Sequence, residues 1–289
     1  MINIKKNINK INNKRPMINF IGLFLILFNI NSLFANTSFE ILNNLNNLNN
    51  KCLWVESNLL SDSTTVDSVL EYALLNKINK LFVKSREDGK AYYVSNIVYN
   101  TNLEFDPLLY IVSKTREIDI DIYAWIDMYK LWDKNDYPPI SIDNLDDSSL
   151  INNQKHFYYE CLACLEADIN GKSDSYIKLD KLQSIEWDGI FLSPIHPQVN
   201  PYLLSVVEEI VNNYNIDGIY LDYLQYQNFY FGYNKEGINI FEELYDFDPK
   251  DINKGLISVN YGYSEEEIEK LTKAWDIYRS DKITELIQY

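Results

Sequence analysis

Short apolar runs of strand-forming residues alternate along this chain with longer stretches whose apolar residues recur at helical spacing, the pattern of βαβ units feeding a parallel sheet. LWVE at 53–56, KLFVKSR at 80–86, DIYAWIDMY at 121–129 and DGIYLDYL at 217–224 read as four strands, with a shorter run, GIFLS, at 189–193. The first helix carries Val66, Val69, Leu70, Ala73 and Leu74 on one face, and Ser63, Thr64 or Thr65 can cap it. Asp106 and Pro107 open the second, with Leu108, Leu109, Ile111 and Val112 as its stripe. PYLLSVVEEIVNNY is strongly amphipathic, and Ser264 with Glu267 forms a capping box for a last helix running to the end. The expected class is α/β, a (β/α)8 TIM-barrel type apparently truncated after about four β/α units, because a complete barrel places eight strands in about 250 residues. The alternative is an open sheet.

The chain divides into three sections by composition. Residues 1–35 hold Lys5, Lys6, Lys10, Lys14, Arg15 and no acid, then an apolar stretch from Ile18 to Phe34 and small Ala35, the order of an export signal. A retained N-terminal anchor is the alternative. Residues 36–51, with NNLNNLNN at 43–50, suit a linker. Residues 52–289 form the expected partial barrel, and export places it in the periplasm or outside the cell. Beyond Ala35 there remain 21 bases against 42 acids, a balance that disfavours nucleic acid or an anionic membrane surface as partner. Cys52, Cys161 and Cys164 make an odd count, which argues against a disulfide framework; the pair in CLAC could form a zinc half-site or a local disulfide, with partly buried or reducible loop thiols the preferred reading. With His156 and His196 the only histidines, no metal or other cofactor is expected.

In parallel α/β folds chemistry collects at the carboxyl ends of the strands. That rule selects Glu56 from the first strand, Lys84 and Arg86 from the second, Asp127 and Tyr129 from the third, and Asp222 and Tyr223 from the fourth. Asp222 is the sharpest, since a buried apolar run ends in a carboxylate that can act as nucleophile or acid; a structural carboxylate pairing with Arg86 or capping backbone amides is the competing reading. Tyr92, Trp125 and Trp132 place rings near the same ends, as a sugar site requires. His196, in LSPIHPQV, is held between two prolines.

These residues resemble a known family. WVESNLL at 54–60, LFVKSREDGKAYYVS at 81–95, FDPLLYIV at 105–112, YAWIDMYKLW at 123–132, GIFLSPIHPQV at 189–199 and DGIYLDYLQY at 217–226 are similar, in order and spacing, to successive blocks of the glycosyl-hydrolase-like 10 family. The resemblance implies a (β/α)8 barrel, secretion or periplasmic residence, and hydrolysis of a glycan such as peptidoglycan strands stripped of peptide. It places Arg86 and Tyr92 in the block after the second strand, Trp125 and Asp127 in the third-strand block and Asp222 as the acid of the fourth. Asp127 stands where the family commonly has Asn, and Leu224–Gln227 lack its Arg and Pro; the family also continues with four further β/α units. The expected catalytic residues are Asp222, Glu56 and Asp127, and the expected glycan contacts are Arg86, Tyr92, Trp125, Tyr129, Trp132, His196 and Tyr223. A non-catalytic carbohydrate-binding or scaffold protein would use the same rings without an acid pair.

Overall fold

A computed structural model describes residues 50–100, 104–133, 164–171, 188–253, 255 and 261–288. Lys51–Tyr289 forms one compact unit, and the expected leader lies outside the described residues. Its centre is a parallel sheet of β1 (Cys52–Val55), β2 (Lys80–Glu87), β4 (Asp121–Asp127) and β7 (Gly218–Asp222), ordered β1-β2-β4-β7. All four runs expected as strands therefore lie side by side in chain order. Among the described residues β1 and β7 each have a single partner and form the two edges. The short β3 (Lys90–Ala91) folds back on β2 through Asp88 and Gly89, both with positive φ, the conformation a two-residue hairpin of right-handed twist demands.

Strand parity sorts every side chain. Val55, Leu81, Val83, Ile122, Ala124 and Ile126 point to one face and build the main core with helices α1 (Ser63–Leu75), α2 (Pro107–Thr115) and α3 (Val199–Asn213). The opposite face carries a row of rings. Trp54 stacks on Phe82 at 4.7 Å and Phe82 on Tyr123 at 5.1 Å, while Tyr220 meets Trp54, Phe82 and Trp125 edge-on. Trp54 stays 45% and Tyr220 38% exposed, so this face is not sealed as the helix-covered one is.

Local signals mostly act as their chemistry dictates. Asp106 accepts from Leu109 N at 2.9 Å with Pro107 at the first helical position. Ser264 and Glu267 exchange the expected capping-box bonds at the start of α6 (Glu265–Gln288). Helix α1 differs: its cap is Asp62, whose carboxylate accepts from Thr65 N at 2.9 Å, because a charged acceptor outcompetes the hydroxyls that follow it. Leu74 and Leu109 lie exposed at 52% and 51%, off the faces that pack. GIFLS supplies β6 (Gly189–Phe191), which pairs antiparallel with β5 (Lys130–Asp133) in a separate two-stranded sheet. Helices α4 (Lys235–Tyr245) and α5 (Lys250–Asn253) complete the fold. Phe241, Phe247 and Trp275 form a second aromatic core, and α6 serves both cores, Trp275 in one and Leu286 in the other.

Gly218 opens β7 directly opposite Tyr123, where an added Cβ would sit 2.7 Å from the ring. The ring cannot retreat, being stacked on Phe82 and bonded through its hydroxyl by Lys80 at 3.1 Å. We expect Gly218→Val to cost about 1–3 kcal/mol in chemical denaturation, and much less when introduced into a Tyr123→Ala background, where the ring it would strike is gone.

Candidate functional site

The carboxyl end of the sheet brings Lys84, Trp125, Asp127 and Asp222 onto one face. Lys84 is the register partner of Trp125, and Asp127 of Asp222. A bulge follows Lys84, so that Arg86 instead reaches across the strand end: its Nη1 donates to the carbonyls of Asp127 and Met128. Arg86 is fully buried, and its Nε and Nη2 find no partner among the described residues.

Lys84 and Asp127 form a buried ion pair at 2.7 Å, with side chains 4% and 3% exposed. Burial pushes the Asp127 carboxyl up to about 6; Lys84 and Arg86 pull it down, and Asp222 adds to the rise. Asp222 is half-buried and fixed by two N–H donors, Trp125 Nε1 at 2.9 Å on one oxygen and Tyr223 N at 2.8 Å on the other. The second bond exists because Tyr223 adopts a left-handed conformation, φ 49°, which turns its amide back onto the preceding carboxylate. A β-region non-glycine residue pulled to such a φ marks a place where the surroundings over-determine the backbone. Lys130 donates to the Tyr223 hydroxyl at 3.2 Å and lies 4.4 Å from its ring centre, which anchors the strained residue.

The other expected residues divide. Tyr92 is half-buried, bonded to Ser57, with its hydroxyl pKa raised by burial and by Glu87, Asp88 and Asp127, so it borders the cluster. The β3 hairpin brings it there, its amide donating to Ser85 O at 2.9 Å. Glu56 continues the inner row of β1 and is exposed, with no side-chain hydrogen bond or ion pair among the described residues. Tyr129 is buried and points away: its hydroxyl donates to Asn200 at 2.9 Å. Trp132 belongs to β5, and its side chain lies outside the described residues. His196 is nearly buried, its Nδ1 accepting from Gln198 N at 3.2 Å and its pKa lowered by burial. It lines a cavity of about 350 Å³ with Asn200, Leu204, Ile240, Tyr278 and Lys282, to which none of the three expected acids contributes.

Two features depart from the preferred readings. Cys164 is disulfide-bonded, the alternative of a local disulfide rather than the loop thiols preferred, whereas Cys52 is free and exposed. Glu166, between the third strand and GIFLS, is fully buried; one oxygen accepts from Ala167 N and Ser193 Oγ, each at 3.1 Å. No strand-end rule or periodicity marks it. Among the described residues no group of three or more His, Cys, Asp or Glu could hold a metal ion, and no helix is long and apolar enough to cross a membrane.

Residues 49–289 match the glycosyl hydrolase-like 10 family. The chain belongs to that family. No curated protein sequence matches it. Solved structures with partial similarity include a hypothetical protein from Ruminiclostridium thermocellum, 16% identical, TM-score 0.41, over 70% of this chain and 92% of that one. Another is alpha-L-fucosidase isoenzyme 2 from Paenibacillus thiaminolyticus, also 16% identical, TM-score 0.48, over 82% of this chain and 30% of that one. A third is the cycloalternan-forming enzyme from Listeria monocytogenes in complex with a pentasaccharide substrate, 15% identical, TM-score 0.35, over 60% of this chain and 16% of that one.

Burial lifts the Glu166 carboxyl to about 7, against a pull downward from its hydrogen bonds and Arg279. A carboxyl whose folded pKa is raised favours folding below its unfolded value and loses that advantage as pH climbs through the folded one. We expect Glu166→Gln to be stabilising relative to the parent by an amount that grows between about pH 4.5 and pH 7, towards roughly 3 kcal/mol at its upper limit. Thermal melts of both proteins from pH 4.5 to 8 measure it; a difference independent of pH would contradict the assignment.

Proposed function

We propose that this family member is an exported glycoside hydrolase whose reacting carboxylates are Asp222 and Asp127. The observation that carries the reading is their register: two acids side by side, on the same face, at the carboxyl end of adjacent parallel strands. Glycosidases need paired carboxyl groups no more than about 9.5 Å apart. Adjacent strands lie about 4.8 Å apart, so Asp127 is within reach of Asp222, whereas Glu56, three strands away, is about 14 Å distant along the sheet. Distance between strands is fixed by the backbone, and burial by side chains and loops that can move. Asp127 is therefore preferred as the partner although only 2% of it is exposed.

The roles follow from the surroundings. Asp222 accepts two N–H bonds and is the more open acid, which suits the carboxylate that meets the sugar ring or its attacking water. Asp127, lifted to about 6, keeps a proton under mildly acidic conditions and suits the acid that protonates the leaving oxygen. Tyr92 and Tyr223, both half-buried, offer rings beside the pair, while Trp125 is buried under Lys84 and bonds Asp222. Family membership supports a glycan as substrate, and peptidoglycan strands stripped of peptide are the class proposed. The basic and apolar leader, and a disulfide at Cys164, both favour an oxidising compartment outside the cytoplasm. The larger proposal, a (β/α)8 barrel type of which this chain carries about four β/α units, rests on the family and on the parallel order β1-β2-β4-β7.

Incubation with peptide-free glycan strands should release soluble oligosaccharides. Asp222→Asn should reduce that release by at least about 100-fold while pull-down by the insoluble glycan persists. Binding with no hydrolysis by the parent chain would select the carbohydrate-binding reading instead.

A further inference from the structure

We infer that Lys84 is a positioning residue of this site, one ammonium group that holds Asp127 and at the same time clamps Trp125 against Asp222. The inference rests on the proposed roles of the two acids, but its geometry does not. Lys84 Nζ donates to Asp127 Oδ1 at 2.7 Å and lies 3.5 Å from the centre of the Trp125 indole. The same indole donates through Nε1 to Asp222 Oδ2 at 2.9 Å. Parity and register produce the stack: Lys84 and Trp125 are partners on the ring-bearing face of β2 and β4, and Asp127 follows Trp125 by two residues on that face.

Three effects meet in this arrangement. A buried ammonium compensates a buried carboxylate that would otherwise be forced neutral. A cation over the face of an indole is attracted by the ring's electron density and fixes the ring's orientation. Drawing that density towards the ammonium makes the Nε1–H more positive, which strengthens its bond to the Asp222 carboxylate. The charged and titratable groups facing Asp127 are Lys84 and Arg86 from β2, Asp222 from β7 and Tyr92 beyond β3. Arg86 gives its Nη1 to carbonyl oxygens, so Lys84 alone of the two cations bonds the carboxylate.

The test combines spectroscopy with kinetics on the full chain. In the parent, the Trp125 indole N–H resonance is assigned by its loss in Trp125→Phe, and the Asp127 carboxyl carbon by its loss in Asp127→Asn. Lys84→Met should shift the indole N–H upfield and move the Asp127 titration midpoint above about 6. It should lower kcat for glycan release by about 100-fold with KM changed by less than about threefold, and Lys84→Arg should restore part of kcat. Because Lys84→Met leaves a buried acid uncompensated, Lys84→Met/Asp127→Asn is measured beside it: this neutral pair should fold and still show the upfield shift. Asp127→Asn alone should leave the indole resonance near its parental position. An indole resonance unmoved in the double variant would overturn the inference. A parent chain that fails to hydrolyse glycan, yet shows both spectral changes, would overturn the hydrolase reading and leave the positioning role standing.

Discussion

Everything at this site depends on β4 being hydrogen-bonded on both sides, in parallel, by β2 and β7. Each alternate residue of a strand shares a face with its register partners. That pairing alone sets Lys84 beside Trp125 and Asp127 beside Asp222. A slip of one residue in either ladder would send the acids into the helix-packed core and the core residues into the site. The apolar burial of Leu81, Val83, Ile122, Ala124 and Ile126 against three helices excludes that slip. The same parity spaces the rings of Trp54, Phe82, Tyr123 and Tyr220 across the face beneath the acids, and Gly218 makes room for Tyr123 to lie flat among them.

The site is polar where the rest of the sheet is dry, and its internal bonds offset part of that cost. A lysine, an arginine and an aspartate are all nearly buried there, an arrangement that is stabilising only if each charge meets a partner. Lys84 and Asp127 meet each other, and Arg86 gives Nη1 to the Asp127 and Met128 carbonyls while its Nε and Nη2 have no partner among the described residues. The strained Tyr223 is held from outside by Lys130, itself bound to Asp133 at 2.7 Å. Rigid surroundings of this kind are what orient a reacting group without side-chain reorganisation.

The four main strands, their order and the acids at their ends were legible in the sequence because apolar runs of period two and strand-end carboxylates are local signals. Other features were set by tertiary context. Tyr129 and Met128 both turn into the main core just after β4, Tyr129 bonding Asn200 there; nothing in YAWIDMYKLW marks Tyr129 as core and Asp127 as site. The Asp62 cap precedes three hydroxyl residues that look equally able to cap. Glu166 and Cys164 lie in a stretch of the sequence without helical or strand periodicity; their surroundings come from Phe191 of β6, from Ser193, and from Arg279 of α6, all distant in sequence. The bond from Trp125 to Asp222 spans two strands 97 residues apart, beyond any local pattern.

The central claim is that glycan is cleaved between Asp127 and Asp222 at the carboxyl end of the sheet, and a crystal structure of the Asp222→Asn variant with an oligosaccharide of the peptide-free strand tests it most directly. The account predicts a sugar ring beside Trp125 and Tyr223, with the glycosidic oxygen within about 3.2 Å of an Asp127 oxygen or one water away. Oligosaccharide seated instead in the cavity lined by His196, Tyr278 and Lys282, with the acid pair empty of sugar, would contradict it.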